Sequence, residues 1–183
     1  MGFKYSITTN EKYFLTITVV DWVDVFTRKE LAAVIVDALN YCIEHKGLQV
    51  YAWCLMPSHL HLIASTNNDE ILLSDVMRDF KKFTSKEVVK TIQLIPESRR
   101  EWLLNKFEFA GRYNPKIKNY KFWQDGLHPI EVTSNKFTDQ KLNYIHQNPV
   151  EAGIVYSAKD YILSSAAVYA GEYPGLVKVT ILE

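Results

Sequence analysis

The sequence predicts an α+β fold: a single antiparallel-dominated sheet with helices packed on one face. Three observations point there. Segments of two-residue alternation and segments of helical periodicity follow one another in the order strand, helix, strand, strand, helix, strand, strand, helix. Two pairs of strand-like runs are joined by short turns, which favours antiparallel hairpins. The chain has 183 residues, 48% of them hydrophobic and 23% charged, enough for one substantial core without staples.

Each element has its own signal. Lys12 to Asp21 alternates and is rich in β-branched and aromatic residues (Tyr13, Phe14, Ile17, Val19, Val20), the pattern of a strand. From Arg28 to Lys46, Leu31, Val34, Ile35, Ala38, Leu39, Cys42 and Ile43 recur at helical spacing, and Gly47 stands where a left-handed cap is expected. Gln49 to Met56 and His59 to Ser65 flank Pro57 and Ser58 as a hairpin. A second amphipathic helix runs from about Ile71 to Ile92, with Val76, Phe80, Phe83 and Val88 on its apolar stripe. Glu97 to Phe107 reads as a shorter helix and Ala110 to Asn119 as an exposed loop. Tyr120 to Gln124 and His128 to Thr133 read as a second hairpin around Asp125 and Gly126. Thr138 to Gln147 predicts a last helix stopped by Pro149 and Gly153, and Asp160 to Gly171 a short docked helix or ordered loop.

Residues 1–183 are expected to form one domain, with 156–183 as a docked C-terminal tail. The longest unbroken apolar run, Val50 to Met56, is far below the ~20 residues that cross a bilayer, so no membrane partner is expected. Met1 to Asn10 lacks a secretory pattern, and two cysteines, Cys42 and Cys54, make neither a disulfide framework nor a cysteine-based zinc site. A cytoplasmic location follows as the expectation. The formal net charge of zero hides an asymmetry: residues 1–77 carry 5 Lys/Arg against 9 Asp/Glu, residues 78–121 carry 12 against 5, and residues 122–183 carry 4 against 7. The basic middle, interleaved with Phe80, Phe83, Trp102, Phe107, Phe109, Tyr113 and Tyr120, suits a surface that tracks phosphates and stacks bases. A solvated helix face with its aromatics turned inward is the plainer reading.

Two constellations carry chemistry. His59 and His61, two apart on a strand, project to the same side about 6.6 Å apart, while Leu60 and Leu62 face the core. Such a pair can offer two nitrogens to one ion, although His-x-His also arises by chance. Tyr144 and Asn148, four apart on a helix, share a face. A phenol is a poor nucleophile at its ordinary pKa and needs a Lewis acid or a base nearby.

The surrounding residues resemble a known family. Leu55-Met56-Pro57-Ser58-His59-Leu60-His61-Leu62-Ile63 resembles the M-P-N/S-H-x-H-L signature of the single-tyrosine, HUH-type transposases. Tyr144-Ile145-His146-Gln147-Asn148-Pro149-Val150-Glu151-Ala152-Gly153-Ile154-Val155 is similar to their Y-I-H-x-N-P-V-x-A-G-L-V block. The stretches Asp79 to Ser85, Phe122 to Gly126 and Asp160 to Ser165 resemble the family's F-K-x-x-T-S, W-Q-x-G and closing Y-x-x-S-S elements, nearest the REP-associated tyrosine transposases.

The resemblance implies a ferredoxin-like, HUH-type sandwich and an enzyme that cuts one DNA strand beside a short hairpin, holding the 5′ phosphate on a tyrosine. It assigns Tyr144 as nucleophile, and His59 and His61 as ligands of a divalent metal, Mg²⁺ or Mn²⁺. The third ligand would be Asn148, with Gln147 as its competitor. Lys81, Lys82, Lys86 and Lys90, with Arg112, Lys116 and Lys118, are expected to bind DNA, single-stranded or hairpin. His128 is either DNA-facing or structural. Family members include monomers and dimers that exchange the tyrosine helix, so a homodimer stays open. The rival readings are a domesticated hairpin-binding protein that does not cleave, and a small metal-dependent hydrolase using the histidine pair. The hydrolase would survive Tyr144→Phe.

Overall fold

The computed structural model describes residues 11–67, 70–115, 117 and 119–182. Strand β1 (Tyr13–Thr18) leads through two short 3-10 turns into α1 (Lys29–His45), and Gly47, at φ 67°, turns the chain into β2 (Leu48–Met56). A tight turn at Pro57 and Ser58 gives β3 (His59–Thr66), followed by α2 (Leu73–Leu94), α3 (Arg100–Gly111), β4 (Ile130–Glu131), α4 (Asn135–Glu151) and α5 (Ala166–Tyr169). The sheet order is β2-β3-β1-β4 and every pairing is antiparallel. This is the expected α+β sandwich in its ferredoxin-like strand order.

Alternation sorts the side chains into two layers. Tyr13, Leu15 and Ile17 of β1 and Leu60, Leu62 and Ala64 of β3 join Leu31, Ile35 and Leu39 of α1 and Val76, Met77 and Phe80 of α2 in the main core. Phe14, Ile63, Ala52, Cys54 and Met56 line the other face, where Ile145 of α4 meets them. Helices α1 and α2 therefore cover one face as expected, while α4 lies on the opposite one. The strands β2 and β3, buried along almost their whole length, need cover on both sides.

Two segments depart from the expected elements. Residues 120–133 do not fold back on themselves. Trp123 bridges Val19 and Gln124 N donates to Thr18 O, while Ile130 and Glu131 pair with Phe14 and Tyr13. Both halves run antiparallel along the same edge of β1, and the Asp125-Gly126 region is a break in that edge segment. Gly126 is at φ 81°, and a Cβ there would meet His128 Nε2 at 2.6 Å; His128 itself is exposed at φ 42°. Pro129 cannot donate to a ladder, and the β1 edge out-competes a local partner. The second departure is Pro149, which lies inside α4, buried in its last turn. The helix runs on to Glu151 because Ala152 N, Gly153 N and Ile154 N find the carbonyls of Asn148, Val150 and Pro149.

The outer edge of β2 is covered by the chain's C-terminal part. Leu55 N donates to Leu163 O, Ser165 N to Trp53 O and Thr180 N to Val50 O. Ser165 Oγ also accepts from Trp53 N, and the hydroxyls of Tyr161 and Tyr169 donate to Leu55 O and Tyr51 O. No helix among the described residues is long and apolar enough to cross a membrane.

Candidate active site

The β1–β3 register sets the site. Thr18, Thr16 and Phe14 stand opposite His59, His61 and Ile63, all with side chains toward α4. The rings of His59 and His61 are 4.6 Å apart, centroid to centroid. His61 stacks on Phe14 at 5.6 Å, and its Nδ1 is hydrogen-bonded to Thr16 Oγ1 at 2.9 Å. Its Nε2 is buried and has no hydrogen-bond partner among the described residues. His59 Nδ1 is hydrogen-bonded to Ser58 Oγ at 3.0 Å. Burial pushes His59 down to about 4; burial, then the neighbouring His59 and Lys141, push His61 down to about 3. Both imidazoles are thus neutral at pH 7, with lone pairs to offer.

From the facing helix, the Tyr144 ring meets His61 edge-on at 5.3 Å and Phe14 at 5.9 Å, and the residue is 42% exposed. The chain's own tyrosine therefore reaches the chain's own histidine pair. Asn148, one turn on, donates from Nδ2 to Tyr144 O at 3.3 Å, which leaves its carbonyl oxygen as the free end of the amide. Gln147 instead lines a separate cleft with Asn143, His146 and Tyr156. Cys54 stands next to His61 across the β2–β3 ladder, and burial raises its thiol to about 12. Among the described residues, no group of three or more His, Cys, Asp or Glu side chains could hold a metal. The donors that the structure sets side by side are two neutral imidazoles, one with a buried nitrogen that has no hydrogen-bond partner among the described residues. That set fits a divalent cation with open coordination positions.

The expected DNA-binding residues divide. Lys81 Nζ donates to Gln124 O at 2.8 Å and Gly126 O at 2.9 Å, and burial lowers its pKa. Its ammonium ties the β1-edge segment to α2, contrary to its expected place in a DNA-facing stripe. Lys82, Lys86 and Lys90 are exposed, Lys90 within 3.4 Å of Glu87, on a helix that packs on the sheet face away from the imidazoles. Arg112 is exposed beside the Tyr113 ring, just past α3. Lys116 and Lys118 lie outside the described residues.

Residues that sequence reasoning passed over also converge on the site. Lys141 Nζ lies 4.6 Å from the Phe14 ring centroid and 5.6 Å from that of Tyr144. Its position three before Tyr144 on one helix was the available signal. Thr16 and Trp22, whose indole meets His59 edge-on at 5.1 Å, had no local signal.

The fold is thus a two-layered α+β sandwich in which paired strand histidines face a helix-borne tyrosine. The model of the family described as "Transposase IS200 like" matches residues 8–115, more than half of the chain, and the chain belongs to that family. The matched span includes His59 and His61 and ends before Tyr144. A curated protein of Haemophilus influenzae (strain ATCC 51907 / DSM 11121 / KW20 / Rd), named "Putative REP-associated tyrosine transposase", is 24% identical over 184 residues, covering 95% of this chain and 93% of its own. A solved structure of a REP-associated tyrosine transposase bound to a REP hairpin shares the fold, with a TM-score of 0.63 and 17% identity over 100% of this chain and 94% of that one. Membership makes this a transposase-like, DNA-processing enzyme.

Proposed function

We propose that this chain nicks and rejoins single-stranded DNA beside a hairpin, through a covalent 5′-phosphotyrosine at Tyr144. What carries the reading is the contact of an exposed phenol with the buried imidazole of His61, whose Nε2 has no hydrogen-bond partner among the described residues, beside the half-buried ring of His59. His59 and His61 would hold Mg²⁺ or Mn²⁺, and the orientation of its amide favours Asn148 over Gln147 as third ligand. When bound, such an ion supplies positive charge for a nonbridging phosphate oxygen. Tyr144 Oη attacks phosphorus in line: the Oη–P bond forms as the P–O3′ bond breaks, the phenolic proton passes to solvent, and the departing 3′ oxygen takes up a proton. Attack by another 3′-hydroxyl reverses the step, so the bond energy is kept without a nucleotide cofactor. Lys141, beside the tyrosine ring, offers a second positive charge where the strand must lie.

Lys82, Lys86, Lys90 and Arg112, with Lys116 and Lys118, would hold backbone phosphates farther from the cut, as in a hairpin stem; Lys81 drops out of that set. The working unit is the whole chain, 1–183, with 156–183 as its docked tail, in the cytoplasm. A homodimer is not needed to bring the tyrosine to the histidines, and sizing chromatography with and without DNA tests for one. The deciding experiment incubates the protein with labelled single strands from the DNA flanking its own gene and Mn²⁺. A protein-linked product that vanishes with Tyr144→Phe is expected. No product with any flanking hairpin, or an undiminished one from Tyr144→Phe, refutes the reading.

A further inference from the structure

Trp22 occupies a costly position. Asp21 and Trp22 both have left-handed backbone, at φ 53° and 56°, a region bulky side chains rarely adopt. The turn is firmly held: Val20 and Val23 are each 5% exposed in the core, Val20 N donates to Phe122 O, and Asp21 pairs with Lys106 at 2.8 Å. With both flanks anchored, the strained backbone directs the indole outward. Trp22 is 58% exposed, yet its ring is held against that of His59, with the centroids 5.1 Å apart and the planes at 71°.

Together with the two imidazoles and Tyr144, the indole completes a file of rings with centroid steps of 5.1, 4.6 and 5.3 Å. Tyr144 ends the file on one side and Trp22 on the other. A strand whose phosphate lies at the histidines and Tyr144 must carry a neighbouring nucleotide past the indole. Strain kept at a functional site together with an exposed flat apolar surface is the arrangement expected of a ligand clamp. An indole face is the side chain best suited to stack an unpaired base, whatever its sequence.

We infer that Trp22 is a stacking platform for one unpaired nucleobase adjoining the scissile phosphate, and so sets which phosphate enters the site. The inference rests on the nicking function proposed above and adds the residue that fixes the strand's register there.

The test uses the full-length chain carrying Tyr144→Phe, so that binding is read without cleavage. Its probe is the flanking single strand that forms the adduct with the parent, fluorescein-labelled, with an abasic site walked through each position around the cut. With Trp22 intact, one abasic position next to the cut is expected to weaken binding roughly 5- to 100-fold. Trp22→Ala should weaken the unbroken strand by a similar factor and be indifferent to that abasic position, while Trp22→Phe keeps part of the affinity. In the Tyr144 parent, Trp22→Ala should also spread cleavage over neighbouring phosphates. The abasic scan needs no substitution at Trp22, so it stands even if a variant folds poorly. Binding by Trp22→Ala within twofold of its parent, or equal losses at every abasic position, overturns the inference and leaves the nicking function intact. Absence of any adduct in the parent removes both.

Discussion

Replacing Thr16 with valine isolates one hydrogen bond behind the candidate metal ligands. Thr16 faces His61 across the β1–β3 ladder with Oγ1 2.9 Å from Nδ1. A proton on Nδ1, donated to Oγ1, leaves the lone pair on Nε2, the buried nitrogen without a hydrogen-bond partner among the described residues. Valine keeps the branched shape that suits a strand and removes only the acceptor. A hydrogen bond of this kind contributes about 1 to 1.5 kcal/mol, which is roughly tenfold in an equilibrium constant. Partners that orient ligating histidines typically alter metal affinity by about 10- to 100-fold. Thr16→Val is therefore expected to weaken Mn²⁺ binding about tenfold by isothermal titration calorimetry at pH 7. The melting temperature should fall only by about 2 to 6 °C for a chain of this size. Thr16→Ser, which keeps the oxygen, should bind as the parent does. Mn²⁺ affinity within twofold of the parent in Thr16→Val would show that Thr16 does not orient His61 as a ligand.

Other substitutions separate structural from functional charge. Lys81→Met should lower stability by about 1 to 3 kcal/mol in urea melts, because two carbonyls lose their donor, whereas Lys82→Met stays within about 0.5 kcal/mol; equal effects would sink the structural role of Lys81. Lys141→Gln should slow adduct formation about tenfold at saturating DNA. Lys86→Gln should instead leave that rate alone and reduce the slope of log affinity against log salt by about 0.9, the value for one duplex phosphate contact. His61 and His146, buried and held at about 3 and about 4, stay neutral while the unfolded chain takes up protons from pH 6.5 downward. The stability they carry is complete above pH 6.5 and is lost as the pH falls toward the folded values, by about 2 kcal/mol each at pH 5 in the metal-free protein. A urea midpoint unchanged between pH 7.5 and 5 would contradict that burial.

What could be read from the sequence was local and periodic. Two-residue alternation put His59 and His61 on one face and Leu60 and Leu62 on the other, and four-residue spacing put Tyr144 above Asn148. The partner of His61 was not readable, because Thr16 reaches it only through a register fixed by hydrogen bonds 45 residues apart in sequence. Lys81 has the periodicity of its stripe, but periodicity does not say which face a distant loop will cover. Asp125-Gly126 carries hairpin chemistry, yet the free edge of β1 offered both flanks a better ladder. Pro149 is a helix breaker whose cost the surrounding burial outweighs. One signal was present and under-used: the near-continuous apolar run of β2 marks a strand covered on both faces, and hence a helix on each side.

The strapping of β2 by residues 161–180 has a practical corollary for anyone shortening the chain. Leu48–Met56 is nine residues, nearly all apolar, and its outward amides and carbonyls at 50, 51, 53 and 55 are satisfied by that strap. Cut away beyond residue 156, the protein would keep its histidines and its tyrosine but bare a long greasy border, an open template for cross-β growth. Insoluble aggregates, rather than a leaner catalyst, are the outcome to expect from such trimming.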